Sequence, residues 1–170
     1  MDAFLAVVSR REVRDYAPAP VPDDAARRIL EAGRLAGSSR NRQARRFIAI
    51  RDRALLDGLA DAVYTPSNLR GAALAVAVLT AGKGPAGFDA GRAAQNMMLA
   101  AWNEGIGSCP NGIADPERCA AVLVPRDGEQ VATVVTFGYP ARPWDPERRS
   151  PEEAIARADR LPFDAVVEWR

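Results

Sequence analysis

Residues 72–80 read Ala-Ala-Leu-Ala-Val-Ala-Val-Leu-Thr. The run is apolar at both odd and even positions, so neither face of a strand built from it suits water. A strand in the middle of a sheet, covered on both sides, is the arrangement that accommodates it. Two shorter β-branched stretches flank it in the chain: Phe-Ile-Ala-Ile at 47–50 and Val-Ala-Thr-Val-Val-Thr-Phe at 131–137. Both read as partner strands.

Helical patterns fill the intervals. A short helix fits residues 2–9, where Phe4, Leu5 and Val8 share a face. Prolines at 18, 20 and 22 force an extended connection, because they cannot continue a helix. A helix over 22–36 follows, with Pro22 at its start, Asp23 and Asp24 in the first turn, and Gly37 stopping it. Further helices are expected over 53–63 and 116–123, with a break at 64–68 and a loop at 82–87. Residues 89–104 are apolar over most of the helix circumference, so this helix should be deeply buried, by its own chain or by a second subunit. Met97, Met98 and Trp102 on it read as dimer core rather than as a cofactor box. Gly-Ile-Gly-Ser-Cys-Pro-Asn-Gly at 105–112 reads as a tight loop. Residues 140–170 are rich in arginine and proline, contain a helix near 151–158, and hold apolar Leu161, Phe163, Val166, Val167 and Trp169. Such a tail is expected to wrap across a partner subunit.

The whole chain of 170 residues suits one domain, 1–170, with 48% hydrophobic and 26% charged residues. Net charge is +1 at pH 7, which gives no global field for nucleic acid or anionic lipid. There is no histidine. Histidine-based triads, histidine-ligated zinc and imidazole proton relays are therefore excluded. Cys109 and Cys119 are too few and wrongly spaced for a metal site. No apolar run is long enough for a membrane span, and the first residues lack the pattern of an export signal, so a cytoplasmic protein is expected. Lys83 is the single lysine, a bias that fits a GC-rich bacterial coding sequence. Any anion site must then rely on guanidinium forks.

Three segments could carry chemistry. Arg10-Arg11-Glu12-Val13-Arg14 places three guanidiniums within five residues, able to grip a phosphate, with Arg10 and Arg14 one turn apart if the first helix continues. The alternative is a solvated basic helix end. Gly37-Ser-Ser-Arg-Asn-Arg-Gln43 offers hydroxyls and amides that can read the edge of a heterocycle, or it is an ordinary helix-ending loop. Gly107–Gly112 supplies backbone amides that can approach a ligand closely, in a loop type that is common. Cys109 reads as a small buried filler rather than a nucleophile. None of the three segments contains an acid–base pair, so no side chain is assigned as catalytic.

Taken in order, these segments resemble the nitroreductase family of dimeric, FMN-dependent NAD(P)H oxidoreductases. The resemblance rests on Arg10-Arg11-x-x-Arg14, on Ser38-x-x-Asn41-x-Gln43, and on Asp89-x-Gly91-x-Ala93-x-Gln95-Asn96. Gly105-Ile-Gly-Ser-Cys109, Gly138-Tyr-Pro140 and Arg149-x-Pro151 complete it. It implies a three-layer α-β-α sandwich of the α+β class, with a small mixed, mainly antiparallel sheet and a domain-swapped C-terminal tail in a homodimer. It also implies that Arg10 and Arg149 clamp the FMN phosphate. Arg11, Glu12 and Arg14 would run along the ribityl chain and pyrimidine end. Ser38, Ser39, Asn41 and Gln43 would reach over from the opposite subunit, and Pro110, Asn111 and Gly112 would lie beside the isoalloxazine.

Two departures stand out. Glu12 occupies a position where similar proteins commonly carry Ser, and the usual Pro-Ser…Gln-Pro-Trp reads Gly37-Ser38…Gln43-Ala44-Arg45 here. The function implied is hydride transfer from NADH or NADPH to a nitroaromatic, quinone or enone by a ping-pong cycle. The alternatives are another flavin reaction on the same fold, or a flavin carrier or regulatory dimer without turnover.

Overall fold

The computed structural model describes residues 1–170, apart from the side chain of Pro146. Its centre is β2 (Leu74–Ala81), in which every residue from Leu74 to Leu79 is at most 1% exposed. β2 pairs antiparallel with β1 (Arg45–Ile50) on one side and with β4 (Glu129–Gly138) on the other. β3 (Gly107–Asn111) adds to β4 at the edge, giving the order β1-β2-β4-β3.

Side chains alternate across the sheet and meet a helical layer on each face. Leu74, Val76, Val78, Val135 and Phe137 pack with Ile29 of α2 (Asp23–Arg34) and Met97 of α5 (Ala86–Asn103). On the opposite face Ala75, Ala77, Leu79 and Val134 pack with α3 (Arg53–Ala60), α4 (Pro66–Gly71) and α6 (Pro116–Leu123). This is the expected three-layer sandwich. Each fully buried Leu, Ile or Val here contributes roughly 1.5–3 kcal/mol through removal from water.

The sheet differs from expectation in hand of pairing. All four strands run antiparallel, so the sheet is not mixed; the parallel contact is an isolated bridge between Glu12 and Ser108. Residues 107–111, expected as loop, form β3. A strand can hold Gly107 and Pro110 because it is an edge: only one side must satisfy a ladder, and a proline's missing N–H is tolerated there. The break at 64–68 contains the start of α4, with Pro66 in its first turn. α5 begins at Ala86 and so shortens the expected loop. Met97 and Met98 are buried by α2 and the sheet of their own chain, and Trp102 is buried within the same chain, bonded to Ser9, which corrects the reading of all three as dimer core.

α1 (Ala3–Ser9) is capped by Asp2, whose carboxylate accepts from Leu5 N at 2.9 Å. It ends at Ser9. Arg10 is already extended, with φ −58° and ψ 133°, so Arg10 and Arg14 are not one helical turn apart. In the tail, α7 (Pro151–Ala156) carries a reciprocal capping box between Ser150 and Glu153. It lies against α1, where Arg11 Nη2 donates to Ala154 O at 2.9 Å. The tail continues through the short α8 (Phe163–Val166), and Leu161, Phe163, Val166 and Trp169 are left 61–86% exposed.

Candidate active site

Residues 10–16 run extended along the rim of the sheet and are held by backbone contacts. Val13 N donates to Ser108 O at 3.0 Å, Ala17 N to Tyr139 O at 2.8 Å, and Ala141 N to Asp15 O at 3.0 Å. Glycine makes this approach possible. A Cβ on Gly107 would sit 2.6 Å from Val13 Cβ, and one on Gly138 would sit 2.8 Å from the Tyr16 ring. The two glycines of the Gly-Ser-Cys and Gly-Tyr-Pro motifs therefore seat the arginine segment against β3 and β4.

Between this segment and the first part of the tail lies an open cleft of about 580 Å³, a volume ordinary for a small-ligand site. Residues 11–15 form one wall; Pro140, Arg142, Trp144 and Arg149 form the other. Four guanidiniums (Arg11, Arg14, Arg142, Arg149) face two carboxylates (Glu12, Asp15), so the walls are net positive. Trp144 also packs edge-on against Trp102 with ring centroids 4.1 Å apart, and Trp102 Nε1 donates to Ser9 Oγ at 3.0 Å.

Buried polar atoms without partners gather around this cleft. Those found among the described residues are Arg10 Nη1, Glu12 Oε2, Ser108 Oγ, Trp144 Nε1 and Asn68 Oδ1. Glu12 and Trp144 line the cleft, Arg10 pairs with Glu12, and Ser108 is bridged to Glu12. Asn68 is linked to β3: its Nδ2 donates to Asn111 Oδ1 at 2.9 Å and lies 3.6 Å from Cys109 Sγ. Native proteins leave few such atoms unpaired, and each lost partner costs about 1–3 kcal/mol. Two of these atoms belong to residues that line the cleft, and two more to residues that touch Glu12, which marks this side of the fold as suited to a polar ligand.

The local electrostatics follow from burial. Burial lowers the Arg11 pKa, helped by the cations of Arg160, Arg10 and Arg149. Its guanidinium is occupied by carbonyls: Nη1 donates to Val8 O at 2.8 Å and Arg10 O at 2.9 Å, and Nη2 to Ala154 O. Arg11 thus ties α1 to the tail. Cys109 is buried, and burial pushes its thiol up; Arg14 pulls it down and Glu12 raises it further. It stays a protonated thiol at neutral pH, in keeping with a filler rather than a nucleophile. Burial likewise raises the Tyr16 phenol, whose hydroxyl meets Thr136 Oγ1 at 3.0 Å.

The structure groups some of the sequence candidates and separates others. Arg11, Glu12, Arg14 and Arg149 share the cleft. Arg10 lines a neighbouring cavity of about 270 Å³ with Arg11, Gln95 and Arg160, so of these residues Arg11 alone borders both spaces and Arg10 does not share the cleft with Arg149. Ser38, Ser39, Asn41 and Gln43 do not line the cleft of their own chain. Ser39 N donates to Asp89 at the start of α5, and Ser38 Oγ accepts from Gln43 N at 2.9 Å. Arg40, Asn41 and Gln43 all have positive φ of 52–53°, a tight conformation for a loop without glycine. Asn111 turns its side chain inward, donating to Cys109 O and Val134 O at 3.0 Å each, while Pro110 is exposed and Gly112 O accepts from Tyr64 N.

Arg142, Trp144 and Arg160 escape the sequence reading. Their only signal is a place after Gly-Tyr-Pro in an irregular tail, where no periodicity says which side chains turn inward.

Comparisons with known proteins bear on the family and the fold. The profile of the nitroreductase family matches residues 7–83 and 85–139. A protein of Archaeoglobus fulgidus, provisionally named an NADH dehydrogenase/NAD(P)H nitroreductase, is 32% identical over 79% of this chain and 83% of its own. A Thermus thermophilus NADH dehydrogenase is 26% identical across the whole chain and 97% of its own. A provisionally named nitroreductase from Desulfovibrio desulfuricans, solved in complex with FMN, superposes with a TM-score of 0.82 at 27% identity, covering 100% of this chain and 98% of its own. With most of its length matched by the family profile and its fold shared with that neighbour, the chain belongs to the nitroreductase family.

Proposed function

We propose that the protein is an FMN-dependent oxidoreductase that passes reducing equivalents from NADH or NADPH to a small electron acceptor such as a nitroaromatic, a quinone or an enone. The observation that carries the reading is the net-positive cleft, two of whose lining residues, Glu12 and Trp144, hold buried polar atoms without partners. Family membership supports it, as does the FMN held by the Desulfovibrio desulfuricans neighbour.

The donors present suit that cofactor. Guanidiniums at Arg10, Arg14 and Arg149 match a phosphate and the electron-rich edge of a flavin, while Ser108 Oγ and Trp144 Nε1 offer neutral hydrogen bonds. FMN, when bound, supplies acceptance of hydride from the nicotinamide and its delivery to the acceptor. The chain's part is to bind and orient, and to place positive charge beside the ring. A chain without histidine can do this, because no protein base is needed.

The reading includes a homodimer with its two sites at the interface. In it Ser38, Ser39, Asn41 and Gln43 of one subunit meet the flavin of the other, and the part of the tail beyond α7 reaches across to the partner. Support comes from the apolar side chains at Leu161, Phe163, Val166 and Trp169, which stand 61–86% exposed within nine residues of the tail. The two free, buried thiols support a cytoplasmic setting; among the described residues no helix is long and apolar enough to cross a membrane.

The Arg10–Glu12 pair favours a second reading, a flavin carrier or a dimer with another flavin reaction, because it engages a candidate phosphate ligand. Steady-state NADH and NADPH oxidation by flavin-loaded protein, with a quinone acceptor, separates the two. Acceptor-dependent consumption is expected. Bound flavin without consumption would favour the second reading, and a monomer by light scattering would remove the interface.

A further inference from the structure

We propose that Glu12 sets the ligand specificity of the cleft: its carboxylate is a resident counter-ion on Arg10, which lowers selectivity for a phosphorylated ligand over its dephosphorylated counterpart. The inference rests on the flavin reading for the identity of that ligand.

The geometry is that of a pair left half-satisfied. Arg10 Nη2 meets Glu12 Oε1 at 2.8 Å, with the side chains only 14% and 30% exposed. On each residue the second atom, Arg10 Nη1 and Glu12 Oε2, is buried and has no partner. A pair built only for stability would satisfy both forks, since a partly satisfied buried ion pair is costly. Here one donor and one acceptor remain for something else.

Glu12 cannot easily swing away through its backbone. It is bridged to Ser108, and Val13 N is bonded to Ser108 O at 3.0 Å. A phosphate reaching Arg10 therefore meets a carboxylate already paired with it at 2.8 Å and must share or displace the guanidinium. A hydroxyl meets no such opposition, because Glu12 Oε2 is a free acceptor suited to an O–H donor. The same carboxylate thus discourages the anionic end of a ligand and welcomes its polyol. The nearby wall contains a second carboxylate, Asp15, which provides a control: it contributes negative charge to the cleft, while the ion pair of Arg10 is with Glu12.

The test titrates FMN, riboflavin and inorganic phosphate into the full-length wild type, Glu12→Gln, Glu12→Ser and Asp15→Asn. Flavins are followed by fluorescence and phosphate by calorimetry. Glu12→Gln should raise the FMN-to-riboflavin affinity ratio about tenfold, equivalent to about 1.4 kcal/mol, through tighter FMN and phosphate binding. Glu12→Ser should move it in the same direction, and Asp15→Asn by less. An unchanged or reduced ratio in both Glu12 variants would overturn the inference, as would an equal effect from Asp15→Asn. If neither flavin binds any of the proteins, the flavin reading fails. The phosphate titration then decides the counter-ion role alone: tightening on loss of Glu12 upholds it, and no change overturns it.

Discussion

The neighbourhood of β2 and the cleft beneath the tail are built on opposite terms. Around β2, residues Leu74–Leu79 are sealed between two helical layers, and burial of apolar area accounts for the order. At the cleft, charge is crowded, Arg10 and Glu12 satisfy each other only in part, and unpartnered polar atoms collect. The first region is optimised for folding and the second departs from that optimum at one place. Such local departures mark where a protein gives up stability for binding. The contrast predicts that substitutions in the two regions will separate stability from ligand affinity.

The largest stability effect should come from the core. Leu79→Ala empties a fully buried site and should lose about 2–5 kcal/mol in urea unfolding, with FMN affinity of the remaining folded protein unchanged. Gly107→Ala probes the seam between the regions. Its methyl would collide with Val13, at about 1–3 kcal/mol for overpacking, and should also displace residues 12–14 and weaken FMN binding. A stability loss without an affinity loss would disconnect the arginine segment from the site.

Charge removal in the cleft should show the reverse pattern. Arg14→Gln and Arg149→Gln should each weaken FMN binding by about tenfold or more, while the urea midpoint shifts by no more than about 0.5 kcal/mol. Comparable losses of stability in these variants would break the contrast.

A smaller effect belongs to the sheet's edge. Arg46 holds Glu129 through a forked ion pair, and this, with the Arg126 amide, brings the Glu129 carboxyl down to about 2 from its ordinary 4.5. Because the folded-state value is depressed, its stabilisation is complete above the unfolded value and fades as pH falls from about 4.5 towards 2. Thermal melts across that window should fall more steeply for wild type than for Glu129→Gln. Parallel slopes would remove Glu129 from the acid response, and FMN affinity at neutral pH should be the same in both.

The same contrast explains what could be read from the chain beforehand. β2 is legible because two-sided burial demands an unbroken apolar run. α2 is legible because Pro22, Asp23, Asp24 and Gly37 punctuate it. β3 is not, since Gly107 and Pro110 carry turn chemistry; only its place at the edge, under Val13, lets them form a strand. In the cleft, the arginine segment stands out as a cluster of charge. What it does depends on tertiary contacts that spacing does not encode: Arg11 tying α1 to Ala154, Glu12 pairing with Arg10, and Trp144 folding back from the tail. Asn111 shows the limit most plainly: its position beside the glycines does not say where its side chain goes, and the amide is turned into the core, bonded to Cys109 O and Val134 O.

The central claim is that the cleft under residues 10–15 holds FMN. The visible absorption spectrum of the purified protein, recorded with and without added FMN and followed by identification of any released flavin, tests it most directly. The account predicts a flavin band displaced from that of free FMN, saturating near one flavin per subunit and weakened by Arg14→Gln. No spectral change at saturating FMN, or a change indifferent to Arg14, would contradict it.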